Sequence, residues 1–246
     1  MEIFDCIAAV ARPIHDFGDE FMSDEATAAV GLRAGFPPGR GFYCRGRFGV
    51  LGEASVSVVQ AVQGFLGPHL VTAGWLGGRP VMPAEEAAAL YAQAVRTWGR
   101  ANIPADVDVE HFNRLAQQLI DAADADVLPL FAGWRAQPRP SDDPVGAAMQ
   151  RIHVLREHRG ACHLAAVRLC GLSARAAMVI NLGDEQATHY GWQEPHPVAA
   201  TALIPRWQRA EQLTDELQAP LYATLTDRQR TEFAQLVNAL TASPTP

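Results

Sequence analysis

Residues 151 to 182 have the sequence RIHVLREHRGACHLAAVRLCGLSARAAMVINL, and two interpretations of this stretch compete. A two-helix unit interrupted by Gly171-Leu172-Ser173 is typical of a helix-turn-helix, with Ser173 placed to cap the second helix. The same stretch contains an acid/base cluster, in which His153, Glu157, His158 and His163 are of the kind that transfer protons and Arg159 could hold an anionic or carbonyl oxygen. The first interpretation predicts a regulator and the second an enzyme.

Helical periodicity dominates the rest of the chain. Apolar residues recur at helical spacing from Glu85 to Arg100 and again over residues 107–125. Thr226 and Gln229 have the spacing of a capping box ahead of a further apolar stripe. Ser55 to Val62 fits either a short strand or a buried helix. The sequence therefore predicts an all-α protein.

Proline and glycine divide this helical pattern. Gly35 to Gly41 and Gly77 to Pro83 are predicted loops, and Gln137 to Pro144 is the strongest candidate for a linker. We therefore expect two lobes, an N-terminal helical lobe over residues 1–136 and a C-terminal one over 141–242 that carries the helix-turn-helix-like segment.

Composition excludes several reaction classes and disfavours one partner. The chain contains no lysine, so Schiff-base chemistry and the lysine of a phosphate-binding loop are ruled out. The net charge of −7 opposes nucleic-acid binding, although a local basic patch could override it. Its four cysteines form no CxxC pair, and the chain shows no leader-like N-terminus and no apolar run of membrane-spanning length. We expect a cytoplasmic protein with reduced thiols, no membrane association and no nucleic-acid partner.

The acid/base candidates fall on a predicted helix over residues 145–158. Its core stripe is Ala148, Met149, Ile152 and Leu155, and His153 and Glu157 share the flank beside it. Gly160 is expected to end this helix, so that His163 opens the next one. The resulting junction has two interpretations, a proton-transfer site or a capped helix junction whose charges favour the helix ends.

A metal site is not expected, because His158 and His163 are five residues apart across the predicted break and a set that adds His15 rests on no known spacing. The aromatic and arginine-rich stretch from Gly41 to Phe48 has two interpretations as well. It could line a ligand pocket, or it could pack a helix junction.

Three segments resemble a family of actinobacterial helix-turn-helix or winged-helix proteins: Pro13-Ile14-His15, Arg47 with Leu51-Gly52, and Leu155 to Gly160 with His163 to Ala166. The resemblance covers most of residues 8–182. It implies an all-helical, MarR-like, two-lobed fold and carries no established activity. The chain departs from the family after Gly191-Trp192, where no hairpin is visible before Pro205, so the wing is expected to be reduced or absent.

These observations favour a homodimeric protein of specialised metabolism that encloses a small organic molecule between its lobes. We expect acid/base chemistry without metal or cofactor, such as a cyclisation, isomerisation, elimination or hydrolysis. The expected catalytic residues are His15, Glu157, His158 and His163, with Tyr43, Arg47 and Arg159 binding the substrate. The alternatives are a MarR-like, ligand-responsive transcriptional regulator that uses residues 161–182 on DNA, and a drug-sequestering self-resistance protein.

Overall fold

All regular structure in the computed structural model is helical over the residues it describes, 1–197 and 201–242. No β-strand occurs in these ranges, which confirms the all-α prediction. The MarR-like and two-lobed parts of that prediction stay predictions. The α-helices are α1 (Ile3–Ser23), α2 (Glu25–Arg33), α3 (Gly41–Phe48), α4 (Val56–Gln63), α5 (Pro68–Gly78), α6 (Ala84–Asn102), α7 (Val109–Ala122), α8 (Pro129–Arg135), α9 (Pro144–Leu169), α10 (Ala174–His189), α11 (Ile204–Tyr222) and α12 (Asp227–Leu240). Short 3-10 helices occupy Gly49–Leu51 and Thr201–Leu203.

The helices predicted from periodicity are confirmed. Residues 85–100 lie within α6 and residues 107–125 contain α7. The ambiguous segment from Ser55 forms α4, so the helix alternative is correct, although only Val59 and Gln63 of this helix are buried. The Thr226 hydroxyl and the Gln229 side chain cap the start of α12 reciprocally, as the capping-box spacing predicts.

Helix α9 is the central element, 26 residues long and packed against α1, α6, α7, α8 and α11. Its predicted core residues Ala148, Met149, Ile152 and Leu155 are all buried. The predicted break at Gly160 is wrong, because α9 continues without interruption to Leu169. A glycine inside a helix costs only about 1 kcal/mol, which the packing of a long buried helix outweighs. His163 therefore does not open a new helix, and the junction that both interpretations assumed there does not exist.

The main hydrophobic core contains side chains from both predicted lobes, residues 1–136 and 141–242. Phe112 of α7 stacks on Phe233 of α12, with ring centroids 5.7 Å apart. Trp98 of α6 and Ile152 of α9 belong to the same cluster. The predicted linker forms the loop between α8 and α9, and α9 packs directly on helices from the N-terminal segment.

Within the described ranges, no single helix combines the length and the apolar composition that crossing a bilayer requires.

Candidate functional site

Tyr43, Arg47 and Glu157, which the sequence singled out separately, meet inside the protein. The Arg47 guanidinium on α3 holds both carboxylate oxygens of Glu157 on α9, with Nε–Oε1 and Nη2–Oε2 distances of 2.7 and 2.9 Å. Arg47 also donates a hydrogen bond from Nη1 to the Tyr43 hydroxyl. On the neighbouring helix α8, the Trp134 indole donates to the backbone carbonyl of Arg47. This bidentate pair ties together two helices that are far apart in the sequence.

The electrostatics of the pair fix Glu157 as an anion. Burial alone raises the pKa of the Glu157 carboxyl, but the Arg47 charge and its hydrogen bonds outweigh burial and lower the pKa to about 2. Glu157 opposes the effect of burial on Arg47 in the same way and holds the pKa of that guanidinium above its usual value. A carboxylate with both oxygens engaged and so low a pKa is a poor proton acceptor at neutral pH.

His153 lies one helical turn before Glu157 and is completely buried. Its Nε2 is 3.7 Å from Glu157 Oε1, and its ring packs edge-on against Trp134 with centroids 4.3 Å apart. Neither ring nitrogen has a hydrogen-bond partner among the described residues. Burial lowers the pKa of His153 to about 3, so the ring is neutral at physiological pH. The sequence reasoning left His153 out of the site, although its spacing to Glu157 was a usable signal.

His158 points away from Glu157 and is also buried. It packs edge-on against Phe131 at 4.8 Å, and Cys162 Sγ is 3.9 Å from both ring nitrogens. Burial, together with the charge of Arg135, lowers the pKa of His158 to about 4. The cavity that His158 lines has a volume of about 10 Å³, room for roughly one water. Glu157 and His158, both expected to be catalytic, therefore occupy separate buried environments, and the cavity at His158 is too small for an organic substrate.

His163 and Arg159 face α11. His163 Nδ1 is 3.0 Å from the Thr214 hydroxyl, which itself donates to the Ala210 carbonyl and must therefore accept from the imidazole. Burial and the Arg159 charge lower the pKa of His163 to about 4. Arg159 pairs with Asp215 at 2.7 Å. Both side chains thus fasten α9 to α11.

His15 does not join the other expected catalytic residues. Its side chain is 60% exposed and contacts Asp16, the next residue on α1. His15 is not among the side chains that line the small cavity at His158, and its assignment as a catalytic residue stays a prediction. Over the described residues, no group of three metal-ligating side chains assembles at these histidines or elsewhere.

The helix-turn-helix prediction corresponds to α9, residues 170–173 and α10. The axis of α9 and the axis of α10, taken across the kink of α10 at Gly183, differ in direction by 107°, within the range of about 90–120° that is typical of this unit. Gly171 takes a left-handed conformation with φ +73°, and Leu172 is buried under the turn. Ser173 caps α10 by accepting a hydrogen bond from the Ala176 amide, as predicted.

The end of α10 packs on the loop before α5. The Trp192 indole donates to the Phe65 carbonyl, and the Gly67 amide donates to the Tyr190 carbonyl. A side chain at Gly67 would collide with the backbone of Gly191, which explains the glycine there. Residues 191–197 form no strand, while residues 198–200 of the predicted wing region lie outside the described ranges. Arg175 donates to the backbone carbonyls of residues 193 and 195 and so fixes this segment against α10.

Comparison with known proteins agrees with this geometry. The model of a helix-turn-helix family matches residues 6–244, and the chain belongs to that family. No curated protein and no solved structure matches the chain.

Proposed function

We propose that this protein is a DNA-binding transcriptional regulator that uses α9 and α10 as its helix-turn-helix. The observation that carries the proposal is the geometry of this unit, in which a four-residue turn joins two helices bent by 107°. In such units the first residues of the second helix enter the major groove.

The local charge supports the proposal despite the net charge of −7. Arg168 at the end of α9 is exposed, and the exposed Arg206 of α11 approaches Gly171 in the turn. The first half of α10, residues 174–182, contains no acidic residue. Asp184 and Glu185 follow only after Gly183, where the backbone departs from helical geometry. The turn, with Arg168 and Arg206 beside it, therefore presents positive charge, which a DNA backbone attracts, while residues 176–179 of α10 are buried.

The acid/base enzyme that the sequence put first has less support. Glu157 is held as an anion by Arg47, and His158 faces a cavity the size of one water. A catalyst that transfers protons needs a substrate within hydrogen-bonding distance. We therefore interpret the Tyr43, Arg47, Glu157 and His153 cluster as a buried network that positions α3 and α9.

A regulator of this type is expected to act as a homodimer. Two symmetry-related helix-turn-helix units read half-sites about one DNA turn, or roughly 34 Å, apart. Size-exclusion chromatography with light scattering on the free protein and on its DNA complex tests this part of the proposal. A monomer in both samples would contradict it.

DNA binding is tested by fluorescence anisotropy with duplexes from the promoter region of the gene, over a series of salt concentrations. The double variant R168A/R206A should bind more weakly, and the slope of log K against log salt should fall by about 2, close to one per lost phosphate contact. The control R12A/R33A removes the same charge from exposed arginines on α1 and α2.

The control should bind as the wild type does. The net charge of the protein, taken by itself, predicts no specific complex: any binding would be nonspecific and would disappear at physiological salt. Wild-type protein that fails to select one duplex over a scrambled one would refute the proposal. Equal losses in the two double variants would do so as well, because they would show an effect of total charge.

A further inference from the structure

A wide groove opens between α7 and the first half of α9, at the other end of α9 from the helix-turn-helix. Its volume is about 710 Å³, within the range of small-molecule sites. Arg151 lines the groove 18 residues before the end of α9, which corresponds to roughly 27 Å along the helix. The groove is therefore distinct from the surface proposed to meet DNA.

Neutral groups alone hold the Arg151 guanidinium in place. Its Nε donates to Gln117 Oε1 and its Nη1 to Asn113 Oδ1, each at 3.2 Å, and Nη1 also reaches the Ala147 carbonyl. Across the described part of the chain, Nη2 has no hydrogen-bond partner and no carboxylate lies within 4 Å of the guanidinium. Arg151 is thus half-buried with no carboxylate of the described residues in direct contact with its guanidinium.

The two amides that orient Arg151 are themselves fixed. Gln117 donates from Nε2 to Asp121 at 2.7 Å, and Asn113 donates from Nδ2 to the Pro144 carbonyl at 2.8 Å. These bonds leave the amide oxygens directed at the guanidinium. Side chains that orient a cation without neutralising it leave its charge available to a ligand.

Further arginines make the surroundings of Arg151 cationic. Arg114 is exposed on the wall of the groove and forms no ion pair among the described residues. Burial first and the charge of Arg139 second lower the pKa of Arg151 to about 10, and the charge of Asp121 opposes them only in part. Asp121 is the one acidic side chain that lines the groove among the described residues, and Gln117 engages it. A bound anion would offset this excess of positive charge.

We propose that this groove binds a small molecule through an oxyanion group, a carboxylate or a phosphate, which Arg151 and Arg114 hold. The fixed guanidinium offers Nη2 to the anion, and the amides along the wall offer polar contacts to the remainder of the molecule. The proposal does not depend on DNA binding, because the ligand contacts the other end of α9.

Isothermal titration with inorganic phosphate and with citrate, at constant ionic strength maintained with chloride, tests the site. We expect the wild type to bind at least one probe at a single site. The variants R151Q and R114Q should weaken that binding by at least about tenfold, because each removes a charge-assisted hydrogen bond. Arg114 is exposed, so R114Q tests the site even if R151Q fails to fold. The control R33Q removes one exposed arginine from α2 and should bind as the wild type does.

Three results would overturn the proposal. The wild type could bind neither probe, or R114Q and folded R151Q could bind as tightly as the wild type. R33Q could also lose as much affinity as the groove variants, which would assign the effect to net charge. If R151Q instead reduces DNA affinity as much as R168A/R206A does, Arg151 contacts a nucleic-acid phosphate and the groove is not a small-molecule site.

Discussion

Replacing Glu157 by glutamine should destabilise the protein by about 3 kcal/mol while preserving its fold. Glutamine has the shape of glutamate, so the substitution changes charge and hydrogen bonding without creating a cavity. Arg47 would keep its charge inside the protein with no anion beside it. One of its two donors would also face the NH₂ group of the introduced amide in place of a carboxylate oxygen.

The magnitude follows from two independent considerations. Removing one partner of a buried ion pair typically costs about 3–5 kcal/mol. Lowering the pKa of a carboxyl from 4.5 to about 2 corresponds to about 3 kcal/mol of stabilisation of its ionised form. The Arg47 side chain is 12% exposed, so water offsets part of the loss and the lower value is expected. For a chain of this length, the melting temperature should fall by roughly 6–12 °C.

Urea unfolding at pH 7 measures the effect, and E216Q is the matched control. Arg209 and Glu216 form the same bidentate arrangement at 2.6 and 3.1 Å, but on the surface. E216Q should leave the unfolding midpoint unchanged within error, because exposed pairs are screened by water. The double variant R47M/E157L should recover most of the stability lost in E157Q, since apolar residues need no counter-charge.

The effect should depend on pH in a defined direction. The folded-state pKa of Glu157 is below its unfolded value, so its stabilisation is fully present above pH 4.5 and disappears as the pH falls toward 2. The difference between the wild type and E157Q should shrink over the same window. Equal stability of E157Q and E216Q at pH 7 would refute the assignment of Arg47 and Glu157 as a buried, mutually dependent pair.

Three further substitutions test local features. Gly160→Ala should raise stability in urea by about 0.5–1 kcal/mol, because the glycine lies inside α9 with no atom within 4 Å of an added Cβ; a loss would indicate a break in the helix. His153→Leu should reduce the slope of stability against pH by up to about 1.4 kcal/mol per pH unit near pH 5. The reason is that the wild-type ring gains its proton near pH 6.5 in the unfolded chain but only near pH 3 in the folded protein. Parallel stability curves for the variant and the wild type would contradict this. Ser173→Ala should cost about 1 kcal/mol by removing the cap of α10 and Ser173→Asp should retain most of it, so equal urea midpoints for the alanine variant and the wild type would show that the cap contributes nothing.

The sequence by itself determined several of the helices and two of their caps. The spacing of apolar residues in α6 and α7, and the caps at Ser173 and Thr226, depend on contacts between residues three or four positions apart. Such contacts form in any helix of that sequence, whatever surrounds it. The turn at Gly171 belongs to the same class, because a left-handed backbone position favours glycine wherever it occurs.

Local signals failed where packing outweighed them. Gly160 is a reasonable helix terminator in isolation, but α9 is buried against five other helices and their contacts maintain it across the glycine. His153 and Glu157 were placed on a flank beside the core stripe for a similar reason, since only spacing within α9 was visible. The sequence does not show that α3 and α8 cover that side of α9.

Only the tertiary structure decided which titratable groups meet and what their protonation states are. From the sequence, Arg47 was expected to bind the substrate and Glu157 to be catalytic beside His158, its neighbour in the chain. Folding instead brings Glu157 against Arg47 from 110 positions away and buries His158 on another face. Nothing in the sequence distinguishes Arg151 from the other arginines, because the two amides that orient it are brought beside it from α7 by folding. A pKa depends on burial and on charges within a few ångströms, and those distances are set by the packing of helices from distant parts of the chain.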